Sequence, residues 1–308
     1  MPLSNMQGKH LLLQAFSALD RAGLHVIPKH YYSPVPDCAW LRRNQPLWTR
    51  RSSLTGIHWD LAEQFSWLAD ICEPYYAEVS GLKFYNLLTQ NRSGPGYGPV
   101  ESQVLHCFIR TYAPAGIVEI GSGVSTMCML EAARLNQRDG KRESKITCVE
   151  PFPSEKLRSS NEIHLLPQLC QQVPASYFEH LSGGDLLFID STHAVKVGSD
   201  VLRIYLEIVP RLPAGVFIHI HDIFLPYAYP RNVFTRPFWW QETALLIALL
   251  VNNSKLKVLS CLSALHYDYA PQMQALMSDY LPARDNEGIL VSDEPSGHFP
   301  SSIWLQTA

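Results

Sequence analysis

A glycine-containing segment carries the clearest chemical signal in the sequence. It reads Ile-Val-Glu-Ile-Gly-Ser-Gly-Val-Ser over residues 117–125, so an apolar run ends in a Gly-x-Gly turn. Glycines in such a turn let the backbone approach a ligand closely and adopt φ values that other residues avoid. Glu119 precedes the turn, and a carboxylate there suits a cationic ligand better than a phosphate, because like charges repel. The candidate ligand contacts in this segment are Glu119, Gly121, Ser122, Gly123 and Ser125.

A second carboxylate follows the next apolar run. Glu150 comes about 30 residues after Gly121, where an acidic side chain can bind both hydroxyls of a ribose. The third glycine of the dinucleotide fingerprint is missing, because Ser125 and Thr126 occupy its region. These features favour S-adenosylmethionine over a nicotinamide dinucleotide, since its amino group and sulfonium are cationic and its ribose offers two hydroxyls.

Histidines and aspartates gather after two further apolar runs. Asp190 ends one run and His193 follows it, whereas His219, His221 and Asp222 close another. Because the carboxyl ends of parallel strands meet at one edge of a sheet, we expect these side chains to lie near one crevice.

Three interpretations of this group stay open. His193 or His221 takes a proton from an acceptor, with Asp222 as the third candidate catalytic residue. In the weaker alternative, Asp190, Asp222 and His221 bind a divalent metal. In the third, the groups are structural, which we favour for His219 because buried polar side chains usually have hydrogen-bond partners. Asp190 is otherwise a candidate cofactor contact.

Aromatic residues make up 11% of the chain, and one of them is a candidate ligand contact. The face of an aromatic ring stabilises a cation such as a sulfonium. Tyr97 lies in a glycine-flanked stretch ahead of the Gly-x-Gly turn, so we include it among the cofactor contacts. The other aromatic side chains are expected in ordinary core packing.

The composition excludes several classes of function. The 308 residues carry 25 basic and 28 acidic side chains, a net charge of −3, and 46% of them are hydrophobic. Disordered chains combine low hydrophobicity with high net charge, and general nucleic-acid binders carry a basic excess. The apolar run 244–251 falls short of the about 20 residues that a membrane span needs. We therefore expect a folded protein with neither nucleic-acid nor membrane partners.

Cysteine usage and the amino terminus predict a cytoplasmic location. The 7 cysteines are spread singly, without the C-x-x-C spacing of zinc or thioredoxin-like sites. The first ten residues lack a charged stretch followed by an apolar core, so we expect no signal peptide.

The elements that must position these residues follow from hydrophobic periodicity. Runs that are apolar on both faces alternate with helical patterns after residue 116, which is typical of a parallel sheet covered by helices. The predicted strands are 117–120, 146–149, 163–166, 186–189, 216–220, 256–262 and 303–305. The predicted helices are 9–21, 60–72, 104–112, 125–135, 201–209 and 239–251.

We therefore predict an α/β, Rossmann-like fold with a helical N-terminal extension. Residues 1–100 would form a helical cap or substrate-binding region, and residues 101–308 the ligand-binding domain. An insertion near the ligand mouth is expected at about 264–300.

Four strings together resemble class I S-adenosylmethionine-dependent methyltransferases. Residues 117–125 resemble motif I of that family. The strings Asp-Leu-Leu-Phe-Ile-Asp-Ser-Thr-His at 185–193, Lys-Val-Gly-Ser-Asp at 196–200 and His-Ile-His-Asp-Ile-Phe-Leu-Pro at 219–226 resemble a bacterial subfamily with Ile-Asp-x-x-His and His-Asp-Ile strand ends. The resemblance covers about residues 97–253. It implies a mostly parallel seven-stranded sheet.

The resemblance also implies roles for particular residues. The Gly-x-Gly loop would hold the methionine end of S-adenosylmethionine, and Glu150 the ribose. Residues 169–173 lie where an adenine contact often comes from, with Gln171 or Gln172 in place of the usual acid.

Three functions agree with these features. The first is methyl transfer to a small-molecule acceptor of the secondary-metabolite or saccharide type. The second is a cyclase, similar to azetidine-2-carboxylate synthases, in which the cofactor alone is the substrate and its amine attacks its own γ-carbon, releasing methylthioadenosine. The third is a non-catalytic cofactor-binding module. A homodimer is compatible with the aromatic content.

Overall fold

A computed structural model describes residues 6–27, 29–90, 96–236, 239–290 and 297–308. Parts of two predicted features lie outside these ranges, namely residues 91–95 ahead of Tyr97 and residues 291–296 of the predicted insertion. The chain divides into two compact units, Met1–Trp48 and Thr49–Ala308. This division comes earlier than the predicted boundary near residue 100, because the helices that precede residue 112 in the larger unit pack against its sheet.

The larger unit contains a seven-stranded sheet in the order β3-β2-β1-β4-β5-β7-β6. The strands β1 to β5 run parallel to one another, and β7 runs antiparallel to β5 and β6. This arrangement confirms the predicted α/β fold with a mostly parallel sheet. The strands β1 to β7 are, in order, Gly116–Ile120, Lys145–Val149, His164–Leu166, Leu186–Ile189, Phe217–His221, Leu256–Cys261 and Ser302–Thr307.

Helices cover both faces of the sheet. Three of the six predicted helices begin within one residue of their predicted starts, at Leu61, Val124 and Asp200. The other three begin at Met6, Pro99 and Glu242, against predicted starts at residues 9, 104 and 239. The α-helices of the larger unit are Leu61–Cys72, Tyr76–Val79, Leu82–Thr89, Pro99–Tyr112, Val124–Arg138, Glu155–Arg158, Ala175–Phe178, Asp200–Arg203, Glu242–Leu250, Leu262–Asp268 and Ala270–Leu276. A π-helical turn (Ile204–Ile208) and two 3₁₀ turns (Cys170–Gln172 and Val209–Arg211) complete the helical structure. The smaller unit contains the helices Met6–Arg21, Cys38–Arg43 and Gln45–Trp48.

The strands are apolar throughout because each of their faces packs on its own core. In β4, Leu186 and Phe188 join one hydrophobic cluster, whereas Leu187 and Ile189 join the other. Successive strand side chains point to opposite faces, so a sheet covered on both sides leaves few places for polar residues within its strands. In the described ranges, no helix is both long and apolar enough to cross a bilayer.

The reversed direction of β7 brings an additional part of the chain to the site edge. His221, at the end of β5, pairs with Ser302 at the start of β7. Cys261, at the end of β6, pairs with Ile303. The connection between β6 and β7 therefore leaves and re-enters the sheet at the edge where β1, β2, β4 and β5 end.

We expect the Phe108→Ala variant to lose about 3–5 kcal/mol of unfolding free energy, because it opens a cavity in the core. Phe108 is fully buried and stacks on Trp304, with 4.3 Å between the ring centroids. Urea unfolding followed by circular dichroism measures the loss. Phe152, which is 84% exposed, supplies the control. A Phe152→Ala variant as unstable as Phe108→Ala would contradict this account of the core.

Candidate active site

The glycine loop follows β1 and lies against the end of β4. Gly121 has a φ of +97°, and a Cβ atom at this position would collide with the backbone carbonyl oxygen of Asp190. Glycine is therefore required here on two grounds, the backbone conformation and the close approach of the neighbouring strand end. The loop leads into the helix Val124–Arg138, where the hydroxyl of Thr126 accepts a 3.0 Å hydrogen bond from the Gly123 amide.

Glu119 lies buried beneath this loop rather than at a cavity wall. Its carboxylate accepts hydrogen bonds from Ser125 Oγ (2.6 Å), Thr126 Oγ1 (2.6 Å) and Cys148 Sγ (3.1 Å). Burial raises the pKa of Glu119 to about 7, although the three donors act in the opposite direction. Glu119 therefore stabilises the glycine loop through hydrogen bonds to the start of the following helix. Gly123 and Ser125 are also buried. Direct contacts of these three residues with a cofactor stay predictions.

Glu150 stands at the rim of a cavity, as its place after β2 predicts. Ser122 Oγ donates to one carboxylate oxygen over 3.0 Å, and the Phe152 amide donates to the other over 2.8 Å. Carboxylate oxygens accept more than one hydrogen bond each, so both keep capacity for a ligand. Phe152 is exposed and lines the same cavity, a position that the sequence analysis did not single out.

A cavity of about 720 Å³ brings most of the predicted site residues together. Gly121, Ser122 and Glu150 line it near β1 and β2. The predicted residues at the ends of β4 and β5 also line it, namely Asp190, His193, His221 and Asp222.

A second cavity of about 440 Å³ shares Gly121, Glu150 and Asp190 with the first. Its wall includes Gln171, whose side-chain amide donates to the carbonyl oxygen of Gly198 over 2.8 Å. Gln172 instead accepts a hydrogen bond from the nearby Leu169 amide. Of the two glutamines predicted for adenine contact, the structure therefore places Gln171 at the cavity.

His193 is held by a buried carboxylate that sequence reasoning missed. Its Nδ1 lies 2.7 Å from Glu242 Oε2, and Glu242 is 1% exposed. The other ring nitrogen, Nε2, lies 3.4 Å from Asp190 and 3.5 Å from Asp222. Burial acts against protonation, yet hydrogen bonds to Asp190 and Glu242 raise the pKa of His193 well above its ordinary value. No local signal in the sequence links His193 to Glu242, 49 residues away.

His221 occupies a similar position at the end of β5. Its Nδ1 lies 3.3 Å from Asp190 and 3.7 Å from Asp222, and its Nε2 lies 3.8 Å from Glu101. Burial disfavours the charged ring, but the carboxylates of Asp222 and Asp190 outweigh it and raise the pKa of His221 to about 9. Burial also opposes the charge of Asp190, but His221 and His193 hold its pKa well below the usual range. The cluster therefore contains imidazolium rings between carboxylates.

Tyr97 and His219 lie in the core next to this cluster. Tyr97 is 1% exposed, and its hydroxyl is 3.0 Å from His219 Nε2. Burial holds the pKa of His219 well below its ordinary value, so this ring is neutral. The structure places His219 as a partnered interior histidine. It places Tyr97 behind His221, with 4.9 Å between the ring centroids, and its predicted cofactor contact stays a prediction.

The backbone is unusual at two of the site residues. His193 and Asp222 have φ values of +58° and +54°, a region that non-glycine residues seldom adopt. Ser301 Oγ donates to Asp222 Oδ1 over 2.9 Å, and the Gln241 amide donates to the His193 carbonyl oxygen over 3.2 Å. Strained conformations of this kind persist where surrounding contacts hold them, and they concentrate at functional sites.

The metal interpretation gains no support from this geometry. In the part of the chain that the structure describes, no group of three or more histidine, cysteine or acidic side chains is arranged to hold a metal ion. Asp190, Asp222 and His221 instead form hydrogen bonds and ion pairs with each other and with His193.

Comparisons with known proteins agree with the fold. Residues 118–223 match the family model of a methyltransferase domain. An uncharacterized protein of Archaeoglobus fulgidus is 28% identical over 186 residues, which cover 56% of this chain and 81% of that protein.

Solved structures with similar architecture include a methyltransferase of Podospora anserina bound to SAH. It is 17% identical, with a TM-score of 0.42, over 78% of this chain and 95% of that one. Another is an O-methyltransferase of Streptomyces achromogenes in complex with SAM, 10% identical, with a TM-score of 0.43, over 80% and 99% of the two chains.

Residues 118–223 of this chain are thus similar to a methyltransferase domain, and they lie within an α/β fold with a mostly parallel seven-stranded sheet. No relative named here supports the predicted similarity to azetidine-2-carboxylate synthases.

We expect the Glu242→Gln variant to lower the pKa of His193, because the amide can still accept the Nδ1 hydrogen bond but no longer stabilises the charged ring. An NMR pH titration of the His193 ring signal, assigned with a His193→Gln variant, measures the shift. Glu63→Gln, beside the exposed His58, is the matched control and should leave His193 unchanged. An unaltered His193 pKa in Glu242→Gln would reject the electrostatic role of Glu242.

Proposed function

We propose that this protein is an S-adenosylmethionine-dependent methyltransferase that acts on a small-molecule acceptor. The observation that carries the proposal is a single cavity that joins the glycine loop and Glu150 to the histidine–carboxylate cluster. Ligands of open α/β sheets bind at the carboxyl ends of the strands, which is where this cavity lies.

The residues present fit S-adenosylmethionine on three counts. The close approach of Gly121 to the end of β4 makes a loop over which a ligand can lie near the backbone. Glu150 presents two oxygens at the rim, which suits a ribose diol. Asp190 keeps its negative charge because its pKa is lowered, and that charge suits a cationic ligand.

The cofactor, when bound, supplies a methyl group on a positively charged sulfur. Gly121 and Ser122 would hold its methionine part and Glu150 its ribose. His193 presents Nε2 to the cavity, so a proton from an acceptor hydroxyl or amine would be received at that atom. A cation bound in the cavity lowers the pKa of His193 and His221, which favours the neutral, proton-accepting rings.

Mass spectrometry after incubation with S-adenosylmethionine tests this function. S-Adenosylhomocysteine that forms only when acceptor mixtures are added would support methyl transfer. Methylthioadenosine together with a cyclic amino acid, formed without any acceptor, would establish the cyclase instead. Cofactor binding without either product would leave a binding module, and failure to bind in calorimetry would reject all three functions.

We expect Glu150→Ala to weaken the binding of S-adenosylmethionine by about 1–3 kcal/mol, because the ribose hydroxyls would lose a charged acceptor. Calorimetry of the purified variant measures the dissociation constant. Glu155→Ala, an exposed glutamate in the helix Glu155–Arg158, is the control and should bind as the wild type does. Equal dissociation constants for Glu150→Ala and the wild type would exclude the ribose role.

A further inference from the structure

A third cavity, of about 320 Å³, adjoins the proposed cofactor cavity on the side away from Glu150. The two share His221, Asp222, Arg236 and Trp240 in their walls. Ser301, from the start of the chain's return into β7, lines only the smaller one.

The three cavities follow the order of the strands across the sheet. The 440 Å³ cavity reaches from Glu150 after β2 to Asp190 after β4, and the 320 Å³ cavity lies over β5 and β7. Neighbouring strands are about 4.8 Å apart, so the β7 side lies roughly four strand spacings from Glu150. A cofactor anchored at Glu150 and the glycine loop would leave the far cavity for a second molecule.

The charges at the two ends of this row differ in sign. Three carboxylates and one lysine line the cofactor end, namely Glu150, Asp190, Asp200 and Lys196, so acidic side chains are in excess there. The far cavity is lined by Arg231 and Arg236, and by His221, whose pKa is raised to about 9 by Asp222 and Asp190 in spite of burial.

Two acidic side chains also line the far cavity, namely Glu101 and Asp222. Burial raises the pKa of Glu101, which is 4% exposed and accepts a hydrogen bond from the Ser301 amide over 2.8 Å. Asp222 faces His193 and His221, whose ring nitrogens lie 3.5 Å and 3.7 Å from its Oδ2, so these rings offset its charge.

The two arginines have different surroundings. Arg231 is buried and already has partners within the protein. Its Nε donates to Asp285 over 2.9 Å, and its guanidinium lies 3.9 Å from the centroid of the Phe299 ring. Arg236 is exposed at the junction of the two cavities, and its guanidinium has no ion-pair partner among the described residues. Arg236 is therefore the side chain that a ligand anion would meet.

We propose that the 320 Å³ cavity binds the acceptor, and that this acceptor is a small molecule with an apolar body and one carboxylate or phosphate group that pairs with Arg236. The inference rests on the proposed function and specifies its substrate class. Phe224, Leu290 and Phe299 form an apolar wall for the body of the molecule. The shared wall at His221 places the bound molecule beside the cofactor cavity.

Calorimetric titration with small aromatic molecules that differ in charge tests the proposal. The protein, saturated with S-adenosylhomocysteine, is titrated with 4-hydroxybenzoate, phenyl phosphate and the neutral 4-hydroxybenzamide. We expect the better of the two anions to bind about tenfold more tightly than the amide, because an added charge-assisted hydrogen bond is worth roughly this much at a partly exposed site. The carboxylate and phosphate arms identify which anion is preferred.

Substitutions locate the preference. Arg236→Gln should remove it, and circular dichroism and thermal unfolding check that the variant is folded. Arg211→Gln, an exposed arginine before β5 at the opposite edge of the sheet, should keep it. Equal binding of anions and amide by the wild type, or a preference that survives in Arg236→Gln, would overturn the proposal.

A parallel titration without S-adenosylhomocysteine separates this inference from the proposed function. If the protein does not bind the cofactor but prefers the anions through Arg236, the anion site is supported and the proposed methyltransferase function is rejected. A protein that binds the cofactor and shows no anion preference would retain the function and lose the anion site.

Discussion

The burial of one carboxylate governs the geometry of the site. A carboxylate removed from water is costly unless donors surround it, and Glu119 has three, from two residues of the following helix and one of β2. Because Thr126 donates its proton to Glu119, its oxygen is free to accept from the Gly123 amide, and this fixes the turn. This turn brings Gly121 against the end of β4, where Asp190 lies. The position of the histidine–carboxylate cluster relative to the loop therefore depends on the carboxylate of Glu119, which lies buried beneath the loop.

Most of the fold could be predicted from the sequence, because each strand is a short apolar run bounded by turn residues. The predicted strand 186–189 coincides with β4, and the others differ by one or two residues at an end. The direction of β7 was not evident, since an apolar run carries no information about which way it pairs. The division into compact units after Trp48 was not evident from the sequence for a related reason, because amphipathic periodicity identifies a helix without identifying the surface it covers.

Within the site, residues next to strand ends were accessible to sequence reasoning and residues brought there from afar were not. Asp190, His193, His221 and Asp222 gather as the parallel sheet requires. Glu242 and Glu101 come from helices, and their spacing from the histidines reveals nothing. Glu119 lies just before the glycine turn, as the sequence shows, but its side chain points into the protein interior. The sequence could not predict this, because a strand residue two positions before a turn can point to either face of the sheet. The raised pKa of His193 thus depends in part on Glu242, a partner that only the tertiary structure supplies.

The antiparallel course of β7 separates two tasks along the chain. Residues that face the proposed cofactor lie between β1 and the end of β5, while much of the wall beyond Asp222 comes from the stretch between β5 and β7. Within that stretch, the connection between β6 and β7 leaves and returns at the same end of the strands, so its length can change without altering any register among β1, β2 and β4. Residues that select the acceptor can consequently vary among related chains while the proposed cofactor site stays the same.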